Sequence, residues 1–209
     1  MKQVVLIGAG GHARVLRDAL DLSGHEILGI VDPDATQAAR FGLPWLGNDD
    51  APLPAGALLV NAIGGSGKTA PRRAIFEHFQ RRGHAFATVI HPTAIIAADV
   101  MIGEGSQVMA GAVIQAGARI GANCIVNTRA VVDHDCVIGD HCHLAPGSVL
   151  SGTVSIGACS HVGTGAAVIQ GIRIGAHCLI GAGAAVTRDI PDGAAALGVP
   201  ARIRNQSRG

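Results

Sequence analysis

The stretch VVDHDCVIGDHCHLAPGSVL, residues 131 to 150, decides the fold. Counting by six from Val132 lands on Ile138, Leu144 and Leu150, and the same step carried outward meets an aliphatic residue at every position from Ile90 to Val186. The residue two places earlier is mostly small, as at Ser106, Ala112, Cys124, Cys136, Cys142 and Ser148. Glycine often follows the aliphatic directly, as at 103, 121, 139 and 157. One branched aliphatic, one small neighbour and one glycine per six residues is the hexapeptide pattern of a parallel β-helix. Three hexads close a triangular coil, so 96 to 186 supplies about five coils stacked at about 4.8 Å, the strand spacing. Residues eighteen apart then share a column, and the stepped aliphatics point to the axis.

Before Ile90 the pattern is different. VVLIG (4 to 8), EILGIVD (26 to 32) and ALLVNAIGG (57 to 65) read as buried strands, while ARVLRDALDL (13 to 22) and RRAIFEHFQRRG (72 to 83) have helical spacing. That alternation predicts a small Rossmann-like α/β domain of parallel βαβ type over residues 1 to 88, followed by an all-β parallel β-helix over residues 89 to 209.

Composition excludes several functions. Net charge is +1 and aromatic residues are 2% of the chain, so neither the basic footprint nor the stacking platforms of a nucleic-acid binder are present. No stretch approaches the roughly 18 unbroken apolar residues of a membrane span, and the opening MKQVVLIGAGG reads as a first strand and not as a signal peptide. Five cysteines without paired spacings fit a reducing compartment, so a soluble cytoplasmic protein is expected.

The register tests the chemistry offered by DHDCVIGDHCH, residues 133 to 143. Cys124, Cys142 and Cys178 share a column at the small inward position, and Cys136 holds that position on another face. Inward thiols fill a narrow core; they are neither exposed nucleophiles nor zinc ligands converging on one point. Cys159 falls at a corner and is unassigned. His141, His177 and His91 read as solvated surface histidines. His143 should point outward with His161 eighteen residues on in the same column. His134 sits on an outer corner between Asp133 and Asp135, where a carboxylate can fix its tautomer and raise its basicity. Nine residues, half a coil, separate His134 from His143. A site using both is therefore expected between subunits, as in a closed ring of identical chains.

GAGGHA, Gly8 to Ala13, follows the first strand and opens a helix, and Asp32 ends the second strand. This is a G-x-G-x-x-A fingerprint, with backbone N–H groups and a helix N-terminus for phosphate and an acid for ribose. Only about 88 residues precede the repeat, so a mononucleotide half-site for a nucleotide-sugar is expected, not a full dinucleotide site. GGSGKT, Gly64 to Thr69, is a decoy: a P-loop needs glycine where Ala62 stands, and Pro71 follows. That leaves the loop free to line the sugar pocket.

With GAGGHA, VDPD at 31 to 34, NTRAVVDHDCVIGDHCHLAPG at 127 to 147 and GVPAR at 198 to 202, the chain resembles, nearly end to end, the family of sialic acid O-acetyltransferases and nucleotide-activated 4-amino-sugar N-acetyltransferases of the NeuD and PglD type. The resemblance implies a left-handed β-helix, a homotrimer, and acetyl-CoA as cosubstrate in the groove between neighbouring β-helices, with no metal. It implies His134 as catalytic base, Asp135 as the acid that increases its basicity, and His143 as the residue meeting the acetyl group. Gly10, Gly11, His12 and Asp32 would hold the nucleotide-sugar, a UDP-sugar or a relative. Acetylation of the sugar amine within glycan or polysaccharide biosynthesis is the activity expected, by direct transfer without an acetyl-cysteine. O-acetylation of sialic acid or another sugar hydroxyl is the alternative. A γ-type carbonic anhydrase binding zinc through His134, His143 and His161 would leave the nucleotide domain idle, and a non-catalytic nucleotide-sugar sensor would not consume acetyl-CoA.

Overall fold

The computed structural model describes residues 2–65 and 67–204. Three strands, β1 (Gln3–Ile7), β2 (Glu26–Val31) and β3 (Leu58–Asn61), form a parallel sheet in the order β2-β1-β3. Its residues alternate between two helices. Val4 and Leu6 pack with Ala13, Leu16 and Leu20 of α1 (Gly11–Leu22), whereas Val5 and Ile7 pack with Phe76 and Phe79 of α3 (Ala70–Arg81). Burial on both sides explains why β1 is a continuous apolar run. A short helix that the periodicity did not predict, α2 (Ala35–Ala39), starts because the Asp34 carboxylate accepts from the Thr36 N–H at 2.9 Å.

From Val89 onward the chain is a parallel β-helix of about six turns, one more than the five counted over 96 to 186. Two-residue strands stack into three faces. The first face carries Gln107–Val108, Ile125–Val126, His143–Leu144 and His161–Val162; the second Val131–Val132 and Val149–Leu150; the third Arg119–Ile120, Val137–Ile138 and Ser155–Ile156. Ile125 lies beside His143 and His143 beside His161, so the eighteen-residue column is real. The second residue of each pair points inward, and Val108 to Val186 on the six-residue step form one core. Ile90 is the exception: it is 41% exposed, because its strand pairs on one side only and no coil covers the axis below it. Beyond the last full coil, Ala195–Leu197 pairs antiparallel with Arg202–Arg204.

Corners are sharp for two separate reasons. From 105 to 183 each contains a residue in the left-handed region: glycine at 105, 111, 117, 147, 165, 171 and 183, and Asn123, Arg129, Asp135, His141, Thr153, Cys159 and His177 at the others. The glycines that follow inward aliphatics serve a different need. A β-carbon on Gly139 would stand 2.7 Å from the backbone nitrogen of Ala158 on the next coil.

The α/β unit rests on the first face. Arg72 of α3 is fully buried, and its guanidinium donates to the carbonyls of Asn61 (2.6 Å), Ile63 (2.9 Å) and Asn123 (3.1 Å). Burial pushes its pKa down to about 9, so the charge is kept at neutral pH and solvated by carbonyl dipoles. Because the inward column carries the stability, Leu150→Ala, at a position with no exposure, should cost about 2–5 kcal/mol in chemical unfolding.

Candidate active site

His134 and Asp135 form the corner between the second and third faces, after Val131–Val132 and before Val137–Ile138. The Asp133 carboxylate accepts from the His134 N–H at 2.8 Å, and Asp135 takes the left-handed conformation (φ 57°) that a short acidic side chain tolerates. Neighbouring coils hold the turn from both sides: Asp135 N–H donates to the Ala116 carbonyl at 2.9 Å, and Thr153 N–H to the His134 carbonyl at 2.8 Å. The result is an imidazole 49% exposed, with Nδ1 2.9 Å from Oδ2 of Asp135. The hydrogen bond that His134 Nδ1–H donates to Asp135 raises the His134 pKa above its ordinary value, and the charge of Asp133 adds to it. With Nδ1 committed to the carboxylate, Nε2 is the nitrogen free to take a proton.

His143 points away from the axis, as the register requires, yet it is not on an open surface. It is 5% exposed because the Gly64–Gly65 loop of the α/β unit lies over it; a β-carbon on Gly65 would be 2.6 Å from its Nδ1. The Asn127 amide donates to Nε2 at 3.1 Å, and Nδ1 has no hydrogen-bond partner among the described residues. His161 meets it edge-on with ring centroids 4.9 Å apart and is itself buried. Burial first, then the neighbouring His161 and His12, push the His143 pKa down to about 3, so the ring is neutral.

Two other histidines expected at the surface are also covered, for the same reason that the α/β unit packs on this side. His91 is buried, with Nδ1 accepting from the Thr93 N–H at 3.1 Å, and His141 is half-buried against Phe76 with Nδ1 accepting from the Asn123 amide at 3.0 Å. His177 is exposed. Cys124, Cys136, Cys142 and Cys178 are buried in the axis. Cys159, at its corner, has Sγ 3.7 Å from the Arg73 guanidinium.

Gly10, Gly11, His12 and Asp32 meet at the C-terminal ends of the strands around a cavity of about 490 Å³, closed on the far side by Gly64 and Gly65. α1 begins at Gly11, so its N-terminal N–H groups face this space, and β-carbons at Gly10 or Gly11 would meet nothing. The Asp32 carboxylate accepts from the Ala9 N–H (2.7 Å) and the Asp34 N–H (2.8 Å), which braces the glycine loop. Beside it stands Trp45, the sole tryptophan, half-exposed and donating Nε1–H to the Asp32 carbonyl.

His12 is tied to the β-helix. The Gln107 amide donates to the Asn61 carbonyl at 2.7 Å, which turns its Oε1 toward Nε2 of His12 at 2.8 Å. His12 therefore carries its proton on Nε2 and leaves Nδ1 as an acceptor. Burial pushes its pKa down to about 4 despite that bond. Of GGSGKT, Ser66 lies outside the described residues, Gly64 and Gly65 line the cavity, and Thr69 donates to the Cys159 carbonyl at 3.0 Å instead of reaching any phosphate position.

Within one chain the site is thus in two parts. Loop Gly64–Gly65 lies between His12 and His143 beside the first face, while His134 stands on the corner between the second and third faces. Among the described residues no three His, Cys, Asp or Glu side chains converge as a metal site.

Residues 3–79 match the model of the PglD N-terminal domain, and residues 117–152 match that of the bacterial transferase hexapeptide with six repeats. The acetyltransferase domain of PglB from Neisseria gonorrhoeae FA1090 is 37% identical, with 98% of this chain and 100% of that one aligned at a TM-score of 0.90. The chain belongs to the PglD family of hexapeptide-repeat acyltransferases. A second member, PerB from Caulobacter crescentus in complex with CoA and GDP-perosamine, is 43% identical over 98% of each chain at a TM-score of 0.90. The curated UDP-N-acetylbacillosamine N-acetyltransferase of Bacillus subtilis (strain 168) is 43% identical over 113 residues, a match that spans 53% of this chain and 52% of that protein.

One consequence for this PglD-family chain follows from the burial of His143. Unfolded, its imidazole titrates near 6.5; folded, near 3. Between those values the unfolded chain binds the extra proton, so stability is full above about pH 6.5 and is lost as pH falls. Equilibrium unfolding at pH 5 should show a loss of about 2 kcal/mol from this group alone, and His143→Gln should flatten the slope.

Proposed function

We propose that the protein is an acetyl-CoA-dependent N-acetyltransferase acting on the amino group of a nucleotide-activated amino sugar. The observation that carries the reading is the exposed His134–Asp135 pair on a β-helix corner, in a chain that also builds a nucleotide-sized cavity. It is supported by relatives whose names and structures join CoA, nucleotide-sugars and N-acetyl transfer. One of them is named for a UDP-sugar and another is in complex with GDP-perosamine, so a nucleoside-diphosphate amino sugar is the class of acceptor proposed.

In this reading the α/β unit, residues 1 to 88, holds the acceptor. Phosphate lies at Gly10 and Gly11, and His12 accepts a hydrogen bond from a ligand hydroxyl or amine through Nδ1. The β-helix, from residue 89, holds acetyl-CoA. The sugar amine attacks the thioester carbonyl carbon while Nε2 of His134 takes the amine proton. Collapse forms the amide and breaks the carbon–sulfur bond, and the proton passes from His134 to the CoA thiolate. Asp135 stabilises the transient imidazolium, and a donor near His143 or a backbone N–H stabilises the developing oxyanion.

The two histidines belong to neighbouring subunits of a homotrimer. Along the second face the outward residues are Ile95 (66% exposed), Val113, Val131 and Val149 (41% exposed), an apolar stripe that borders the His134 corner. All five cysteines are free, which suits the cytoplasm, where thiols stay reduced; no described helix is long and apolar enough to cross a membrane.

His134→Ala should lower turnover by about 10² to 10⁴ with acetyl-CoA binding unchanged. Asp135→Asn removes the group that favours the imidazolium, so the acid limb of kcat/KM should move to lower pH while the plateau falls. Acetyl-CoA consumption with UDP- and GDP-linked 4-amino sugars, followed by thiol release, measures both. Unchanged turnover in His134→Ala would remove the assignment.

A further inference from the structure

Gly152 lies eighteen residues after His134 and therefore directly against it on the next coil, and the glycine is buried there by the imidazole. A β-carbon at 152 would collide with Nε2 of His134, with Cε1 at 2.5 Å and Cδ2 at 2.9 Å. On the other side of the same corner, Gly117 lies eighteen residues before Asp135. A β-carbon at 117 would collide with Oδ1 of Asp135, with Cγ at 3.3 Å. The two residues of the exposed pair are thus each seated on a glycine of a different adjoining coil.

The two glycines differ in backbone. Gly117 has φ +74°, as its corner requires, so glycine is favoured there whatever its neighbours. Gly152 is outside the left-handed region, so its backbone does not itself call for glycine. What keeps it a glycine is the space taken by the imidazole.

We propose that Gly152 is a positioning residue: it leaves the seat in which the His134 ring lies flat enough to hold Nδ1 on Asp135 while Nε2 stays open to the acceptor. Gly117 does the same for the Asp135 carboxylate. The proposal rests on the reading of His134 as the base. An imidazole is rigid, so pushing its Nε2 edge away from a methyl at 152 swings the Nδ1 edge off the carboxylate. Room for a methyl requires a shift of about 1 Å or more, a misplacement that can cost about 10²-fold in rate.

The experiment uses Gly152→Ala, His134→Ala and the double variant, with histidine ring titration by NMR in the oligomer and turnover with acetyl-CoA and a nucleotide-linked amino sugar. In Gly152→Ala the His134 titration midpoint should fall toward its ordinary value and turnover should drop about 10²-fold. In the His134→Ala background the added methyl should cost nothing further in turnover, and the thermal unfolding temperature should match that of His134→Ala, since the methyl then fills vacated space. A Gly152→Ala protein with the His134 midpoint and turnover of the parent would overturn the proposal. A midpoint that falls with turnover unchanged keeps the seat but removes His134 as base, so the two ideas fail separately.

Discussion

The eighteen-residue register of the coil is the constraint from which the rest follows. Parallel pairing of two-residue strands fixes which residues touch, as Ile125 touches His143 and His143 touches His161. It sends four cysteines and every stepped aliphatic from Val108 to Val186 to the axis, leaving corners and outward positions as the places where chemistry can stand. A two-residue strand has no freedom to slip, because a shift of one would turn the whole aliphatic column to solvent. Side chains on such a scaffold are held to the precision of the backbone, which suits a base that must meet its proton donor at hydrogen-bond distance.

The second constraint is the seam between the two units. Its centre is not apolar: Arg72, Asn61, Asn123, Gln107 and His12 form a connected, buried set of hydrogen bonds from the glycine-loop cavity to the corners of the β-helix. A half-satisfied network of this kind would be costly, and a complete one fixes a single docking geometry. The loop that follows β3 is caught in it and lies between His12 and His143. The glycine cavity and the His143 ring therefore share one wall, the Gly64–Gly65 segment, whose missing side chains leave room for that ring.

Much of this was legible in the sequence because a strict period turns position into direction. His134 could be placed on a corner, and Cys136 removed as a nucleophile, by counting alone. The limits are equally physical. Periodicity says that His143 and His161 point away from the axis but not what covers an outward position, so their burial under the α/β unit was not foreseen, nor that of His91. Ile90 obeyed the count but lies where the stack ends. Gln107 and Trp45 carry no motif; their roles depend on contacts between segments far apart in sequence. Gly152 was within reach, since 134 plus 18 names it, yet a glycine in a glycine-rich chain attracts notice only when the space above it is seen to be filled.

The register also separates His134 from His143 within one prism, and the account requires them to meet between subunits. Complementation tests this directly. Subunits carrying His134→Ala and subunits carrying His143→Ala, each inactive alone, are dissociated, mixed in equal amounts and reassembled. Random assembly gives about a quarter of interfaces with both histidines intact, and activity should return to about that fraction of the parent. A mixture that stays as inactive as its two components would contradict the account.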